Sequence, residues 1–309
     1  MTQPPYPDSG VMASSPAATA EAVLVPPAAE PLVPCPAPPA QRRRRRPVLL
    51  SIREDIPERT RWVLVAASIA VPLLAWVGLS ATGAVNPIFL PSPASVVRAF
   101  GQLWSSGVLL GDVGATMARV GIGFALVVAV SVPLGLAMGS FASAKAFFEP
   151  MIGLVRYMPA TAFIPLLIIW LGIGEANKIA LLFIGTVFFN TLMSADVASL
   201  VPKNLIDASY TLGASRLTVL RKVVLPHSVP GLIDAMRVNL AATFNLVVVA
   251  ELLASQEGLG YRIIRSQRGL HTDAIFALLI VIGVIGVGMD FGFRSLRNAM
   301  APWAKPTAR

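Results

Sequence analysis

The sequence predicts an all-α integral membrane protein with six transmembrane helices, on three observations. Of its 309 residues 55% are hydrophobic and only 13% charged, with a mean hydropathy of +0.70; a soluble domain carries about twice that charged share. The apolar residues gather into six runs, each near the ~20 residues needed to cross a ~30 Å hydrocarbon core. Basic residues flank those runs unevenly, as membrane orientation requires. The formal charge of +9 therefore belongs to orientation rather than to nucleic acid, and no nucleic-acid partner is expected.

Residues 1–47 are rich in Pro, Ala and Ser, with Pro26-Pro27 and Pro38-Pro39 and no sustained apolar period. Such a stretch cannot bury enough surface to offset its ordering entropy and reads as a disordered tail. It ends in the arginines of residues 42–46, which either orient the first span or meet anionic lipid. The membrane domain is expected over 48–309. Its first span, 62–81, is long enough to cross, and the arginine run lies too far into the chain for a cleaved leader, so it reads as a signal anchor.

Leu90-Pro91-Ser92-Pro93 then opens a stretch with Val96, Val97, Phe100 and Leu103 at helical spacing. Ser92 suits an N-cap and Pro93 the first helical position, which predicts a short amphipathic helix on the outer surface. The second to sixth spans are expected at 112–139, 147–171, 177–198, 231–254 and 273–293. Pro133, Pro159 and Pro165 fall inside spans and should kink them. Placing both termini in the cytoplasm puts most basic residues there, including Arg42, Arg53, Arg59, Lys145, Lys203, Arg216, Arg221, Lys222, Arg294 and Arg297. Only Arg98, Lys178, Arg262, Arg265 and Arg268 fall outside. The loop at about 199–230 then faces the cytoplasm.

That loop carries the most specific pattern: Asp207-Ala208-Ser209, three residues, Gly213, nine residues, then Val223-Val224-Leu225-Pro226. Gly213 supplies a break between two short helices, since glycine adopts left-handed angles freely. Pro226 is expected to stop the second helix. Leu205, Leu212, Leu217, Val219 and Leu220 offer apolar contacts, while Asp207, Arg216, Arg221 and Lys222 keep the hairpin soluble. No Gly-x4-Gly-Lys-Ser/Thr phosphate loop occurs, so ATP binding is not expected on this chain. The two histidines and the single Cys35 cannot build a metal cluster. No cofactor is expected, and no enzymatic activity. Gly283, Gly286 and Gly288 lie within an apolar run and read as sites of close helix packing.

The 207–226 pattern resembles the "EAA" loop of permease subunits of binding-protein-dependent ABC importers, with Asp207 for Glu, Ser209 for Ala and Val223 for Ile. The resemblance extends over nearly the whole membrane region and narrows to the nitrate/sulfonate/taurine type. Leu90-Pro91-Ser92-Pro93, Trp170-Leu171-Gly172-Ile173-Gly174-Glu175, Gly213-Ala214-Ser215-Arg216, Ala250-Glu251-Leu252 and Gly258-Leu259-Gly260 are similar. It implies the type I ABC importer permease fold in the plasma membrane. Two permease copies, or this chain and a close relative, would form the pathway; ABC ATPase subunits would bind below and an extracytoplasmic solute-binding protein above. Asp207, Ala208, Gly213, Leu225 and Pro226 then couple to the ATPase. The solute implied is a small oxyanion such as a sulfonate, taurine or nitrate, although related systems carry bicarbonate-like anions and pyrimidine precursors.

Charges within spans are costly and need a partner or a pathway. Arg237 and Glu251 share the fifth span about 21 Å apart, too far to pair with each other. Arg237 either guides an anion or fixes packing; Glu251 reads as a hydrogen-bond acceptor beside the external loop. Asn239 and Asn245 suit interhelical hydrogen bonds, with Asn245 a further pathway candidate. Arg119 and Arg156 read as snorkelling or packing groups, and Arg262, Arg265 and Arg268 as a docking surface for the binding protein. The rival reading is an ion-coupled carrier or channel working without an ATPase, which would favour an inverted repeat or several midplane carboxylates.

Overall fold

A chain without water around its backbone must satisfy its peptide groups internally, and helices do so locally. The computed structural model describes residues 56–304. In order, its helices are α1 (Glu58–Ala81), α2 (Pro93–Ser105), α3 (Val108–Ser140), α4 (Ala142–Val155), a 3-10 turn (Ala160–Phe163), α5 (Ile164–Leu171) and α6 (Glu175–Ser199). There follow α7 (Lys203–Thr211), α8 (Arg216–Val219), a π-helical turn (Leu220–Val224), α9 (Leu225–Ala254), α10 (Leu259–Arg268) and α11 (Thr272–Met300). No strand occurs among the described residues. Five helical stretches are long and apolar enough to cross a membrane, and α4 with α5 makes a sixth if the bent pair is one span. The arginines of residues 42–46 lie outside the described residues.

The third span departs from the expected kinked helix. Its halves, α4 and the segment Ala160–Leu171, meet at 81°. Proline explains the rupture: Pro159 has no N–H to give and disfavours helical geometry at Met158. The N–H groups of Tyr157 and Met158 fall back on carbonyls three residues earlier. Pro165 does not kink anything; it sits in the first turn of α5, where a missing donor costs nothing. Pro133 is carried inside α3 without interruption.

The centre is built from α3, α6 and α9. Val120, Phe124 and Val127 pack with Leu182 and Val187 and with Leu240, Phe244 and Val247, while Ile282, Ile285, Met289 and Phe293 of α11 cover one side. α3 and α6 approach so closely that a methyl on Gly135 would lie 2.4 Å from the Ser194 side chain, and one on Gly139 2.4 Å from the Ala195 carbonyl. These are the close-packing glycines, spaced four apart after Ser131 as small-residue helix contacts are. Gly283, Gly286 and Gly288, expected in that role, have nothing within 4 Å of the methyl each lacks. They present an open face of α11.

α2 forms as its sequence dictates: Ser92 accepts from the Ser95 N–H and Pro93 takes the first helical position. Val96 and Ala99 bury against Ala277 of α11, and Trp76 of α1 stacks on Phe276 with centroids 5.7 Å apart.

Candidate functional site: the hairpin and the buried charges

The α7–α8 hairpin owes its shape to three residues. Gly213 adopts a φ of +80°. That lets its N–H reach the Tyr210 carbonyl at 2.9 Å and the Ala214 N–H reach the Ser209 carbonyl at 3.0 Å, a helix stop that L side chains resist. Ser215 restarts the helix by accepting from the Thr218 N–H.

Val219 and Val224 bury with Ala198 and Val201 at the end of α6, and Leu136 of α3 joins them. This corrects part of the expectation. Val219 is buried and Leu220 half-buried, so they hold the hairpin to the bundle rather than facing outward. Leu205, Leu212 and Leu217 are the exposed ones, Leu212 to 88%. Asp207 and Ala208 are exposed on α7.

Pro226 does not stop the second helix. From Arg216 to Leu253 the helix continues for 38 residues, passing through the π turn in which the Leu225 N–H bonds the Leu220 carbonyl. A proline ring crowds the carbonyl four residues back; the widened turn gives the Lys222 carbonyl room. Pro226 then occupies the first turn of α9, half-buried, with Leu225 exposed beside it.

At the opposite end of the bundle, Arg119 is buried rather than snorkelling, with 2% of its surface exposed. Its Nε and Nη2 donate to Glu175 at 2.5 and 2.9 Å, and its Nη1 donates to Glu251 at 2.7 Å and to the Glu257 carbonyl at 2.9 Å. Glu251 also accepts from the Thr116 hydroxyl (2.8 Å) and the Gly260 N–H (2.9 Å). Lys178 donates to Glu175 at 2.8 Å. Asp112 accepts from the Gly258 N–H and, at 2.6 Å, from Arg262. Gly258, with φ +115°, leaves no room for a side chain: a methyl there would lie 2.5 Å from the Glu251 carboxylate. This network ties α3, α6, α9 and α10 together. Arg262, expected to face a partner, is thus half-committed to Asp112, while Arg265 and Arg268 remain on the outer face of α10.

Arg237 pairs with Asp290 of α11 (Nε–Oδ1 3.2 Å), which Arg294 also approaches, and Arg297 pairs with Asp234. Arg237 and Glu251 are therefore each met by other helices. Asn239 donates to Asn190 (3.1 Å), which donates to Ser131 (2.5 Å), linking the three central helices. Asn245 is exposed and makes no side-chain hydrogen bond among the described residues.

Asp112 and Thr116 were not singled out from sequence, and Glu175 and Lys178 entered only as part of a motif and as an outer cation. The available signal was Arg119 itself, a cation amid apolar residues that obliges carboxylates to meet it.

Comparison with known proteins agrees with this geometry. Residues 131–303 match the family described as binding-protein-dependent transport system inner membrane component. A probable ABC transporter permease protein of Brucella melitensis is 36% identical over 236 residues, covering 76% of this chain and 95% of that protein. The taurine transport system permease protein TauC of Escherichia coli is 33% identical over 247 residues, covering 78% and 89%. In fold, the chain is similar to an inward-facing structure of the MetNI methionine ABC transporter, with a TM-score of 0.57 at 21% identity over 62% of this chain and 95% of that one.

Proposed function

The chain belongs to the family of binding-protein-dependent transport system inner membrane components, and from that premise we propose that it is the six-span permease subunit of an ATP-driven importer for a small oxyanion of the sulfonate, taurine or nitrate kind. The name of the 33% identical taurine permease supports that solute class. In this reading the subunit sits in the plasma membrane with both termini in the cytoplasm and the hairpin on the ATP-facing side. Residues 48–309 make up the permease domain in this reading, and the tail of residues 1–47 lies outside the described residues. A second copy completes the pathway, ABC ATPase subunits dock beneath, and an extracytoplasmic binding protein delivers the solute.

The observation that carries the reading is the hairpin. Leu205, Leu212 and Leu217 stand exposed around an ordered stop at Gly213, on a helix pair anchored by Val219 and Val224 to α6. An exposed apolar patch on a rigid, buried base suits a protein contact. Coupling follows because the second helix of the pair is continuous with α9: displacement by the ATPase is passed into a span without a flexible linker. Alternating access then requires that the nucleotide state favour one arrangement of the bundle. Glu251 and Arg237 serve in this reading to fix helix packing, Asn245 to line the pathway.

Leu212→Asp tests it. The side chain supports no core, so the protein should reach the membrane in normal amount, yet retain little ATPase on purification and lose uptake. Gly213→Asp should instead keep some ATPase and transport poorly, because the turn is misshapen. Normal ATPase retention and normal uptake in both variants, or uptake by a preparation holding no ATPase, would favour a self-sufficient carrier and defeat the proposal.

A further inference from the structure

Among the described residues, the buried and half-buried cations are all matched. Arg119 and Lys178 meet Glu175, Arg262 meets Asp112, Arg237 meets Asp290 and Arg297 meets Asp234. Arg156 is exposed on the third span, and among the described residues no carboxylate lies within 4 Å of it. Its Nη2 donates instead to the Tyr157 hydroxyl at 3.0 Å, and its guanidinium lies 4.9 Å from the centroid of that ring.

Both residues occupy the rupture between α4 and the Ala160–Phe163 turn, where they stand exposed, Tyr157 to 76%, and line an open cavity of about 260 Å³ together with Gly185, Phe188, Phe189 and Leu246. The cavity lies near the middle of α6 along its length. Gly185 is ten residues below Glu175, the first residue of the 25-residue α6, hence ~15 Å from one end of that helix and ~21 Å from the other. An arginine cannot snorkel over such a distance. A cation held there without a countercharge is costly, and that cost falls when an anion arrives.

The chemistry is specific. The guanidinium offers a planar fork of N–H donors matched to oxyanions. The Tyr157 oxygen accepts from Arg156, which leaves its own proton free to donate. Irregular backbone at membrane depth occurs where it lines a cavity, and this cavity is smaller than those of drug-sized ligands, ~300 Å³ and up.

We propose that Arg156 and Tyr157, at the rupture of the third span, form an anion-binding station that pairs the oxyanion group of the solute as it crosses the bundle. This rests on the importer reading above.

The test uses the full transporter, with its own ATPase and binding protein, in liposomes, with radiolabelled taurine and isotopically labelled nitrate as probes. Cys35, the only cysteine, is first replaced by serine. Arg156→Gln should lower maximal uptake about tenfold or more, the scale of a lost charge-assisted hydrogen bond, while ATPase retention and the stimulation of ATP hydrolysis by loaded binding protein persist. Arg156→Lys, which keeps the charge but not the planar fork, should fall between the parent and Arg156→Gln. Arg156→Cys should regain uptake after aminoethyl methanethiosulfonate, which restores a positive charge, and not after methyl methanethiosulfonate, which restores only bulk. Anion uptake that is unchanged in Arg156→Gln, or restored equally by both reagents, overturns the station and leaves the importer reading standing. A parent transporter that imports uncharged or cationic solutes and neither probe overturns the oxyanion reading and the station with it.

Discussion

Glu251→Gln should be among the most destabilising single-atom changes available in this chain. The carboxylate is buried, with 1% of the residue exposed, and three donors converge on it: Thr116 Oγ1, Arg119 Nη1 and the Gly260 N–H. An amide has one oxygen, so whichever way it turns, its NH2 faces either Arg119 or the Gly260 N–H. Leaving a buried donor unmet costs about 1–3 kcal/mol, and removing one charge of a buried pair about 3–5 kcal/mol. Arg119 keeps Glu175 as a partner, which places the expected cost near the lower bound, about 3 kcal/mol. At about 2–4 °C per kcal/mol for a chain of this size, the apparent melting midpoint in detergent should fall by about 6–12 °C. Glu149→Gln is the control, since Glu149 and Lys145 are 3.8 Å apart and both half-exposed; it should shift stability by less than about 0.5 kcal/mol. The double change with Arg119→Gln should cost less than the sum of the singles, with a coupling of about 1–3 kcal/mol. A Glu251→Gln protein melting within 2 °C of the parent, or singles that add, would refute the account of the network.

Two further outcomes follow from backbone proximity. Gly139→Ala should cost about 1–3 kcal/mol by forcing α3 and α6 apart, whereas Gly286→Ala, with open space around it, should stay within about 0.5 kcal/mol; paired thermal melts decide, and equal effects would contradict the packing described. Gly258→Ala combines an unfavourable φ of +115° with a 2.5 Å approach to the Glu251 carboxylate. It should cost more than about 2 kcal/mol and expose Arg262 to trypsin, measured by limited proteolysis.

Much of this architecture can be read along the chain because its determinants are local. Ser92-Pro93 forms α2, Gly213 breaks the hairpin, and the apolar runs give the long helices. What escapes a linear reading depends on residues far apart in sequence. Arg119 meets Glu175, Glu251 and Glu257, which lie 56, 132 and 138 positions away, and nothing local separates such a residue from a snorkelling one. Pro226 misleads for a different reason: proline ends a regular helix, but a single π turn ahead of it absorbs the crowding. The glycines of α11 resembled a packing motif, yet the close approach falls on Gly135 and Gly139. Gly135 and Gly139 lie four apart while Gly283, Gly286 and Gly288 lie three and two apart, and the close approach of α6 falls on the first pair.

The unbroken helix from Arg216 to Leu253 has a mechanical consequence. Thirty-eight residues make a rod of ~57 Å, with the hairpin contact at one tip and Glu251 near the other. Each degree of tilt about the hairpin sweeps the far tip by ~1 Å, while hydrogen bonds such as those to Arg119 weaken over a few tenths of an ångström. The rod therefore cannot swing by small degrees: it either drags α3 and α6 along through Arg119 or unlatches from them altogether. On the coupling proposed above, a push at the hairpin would become, some 50 Å away, a choice between two positions.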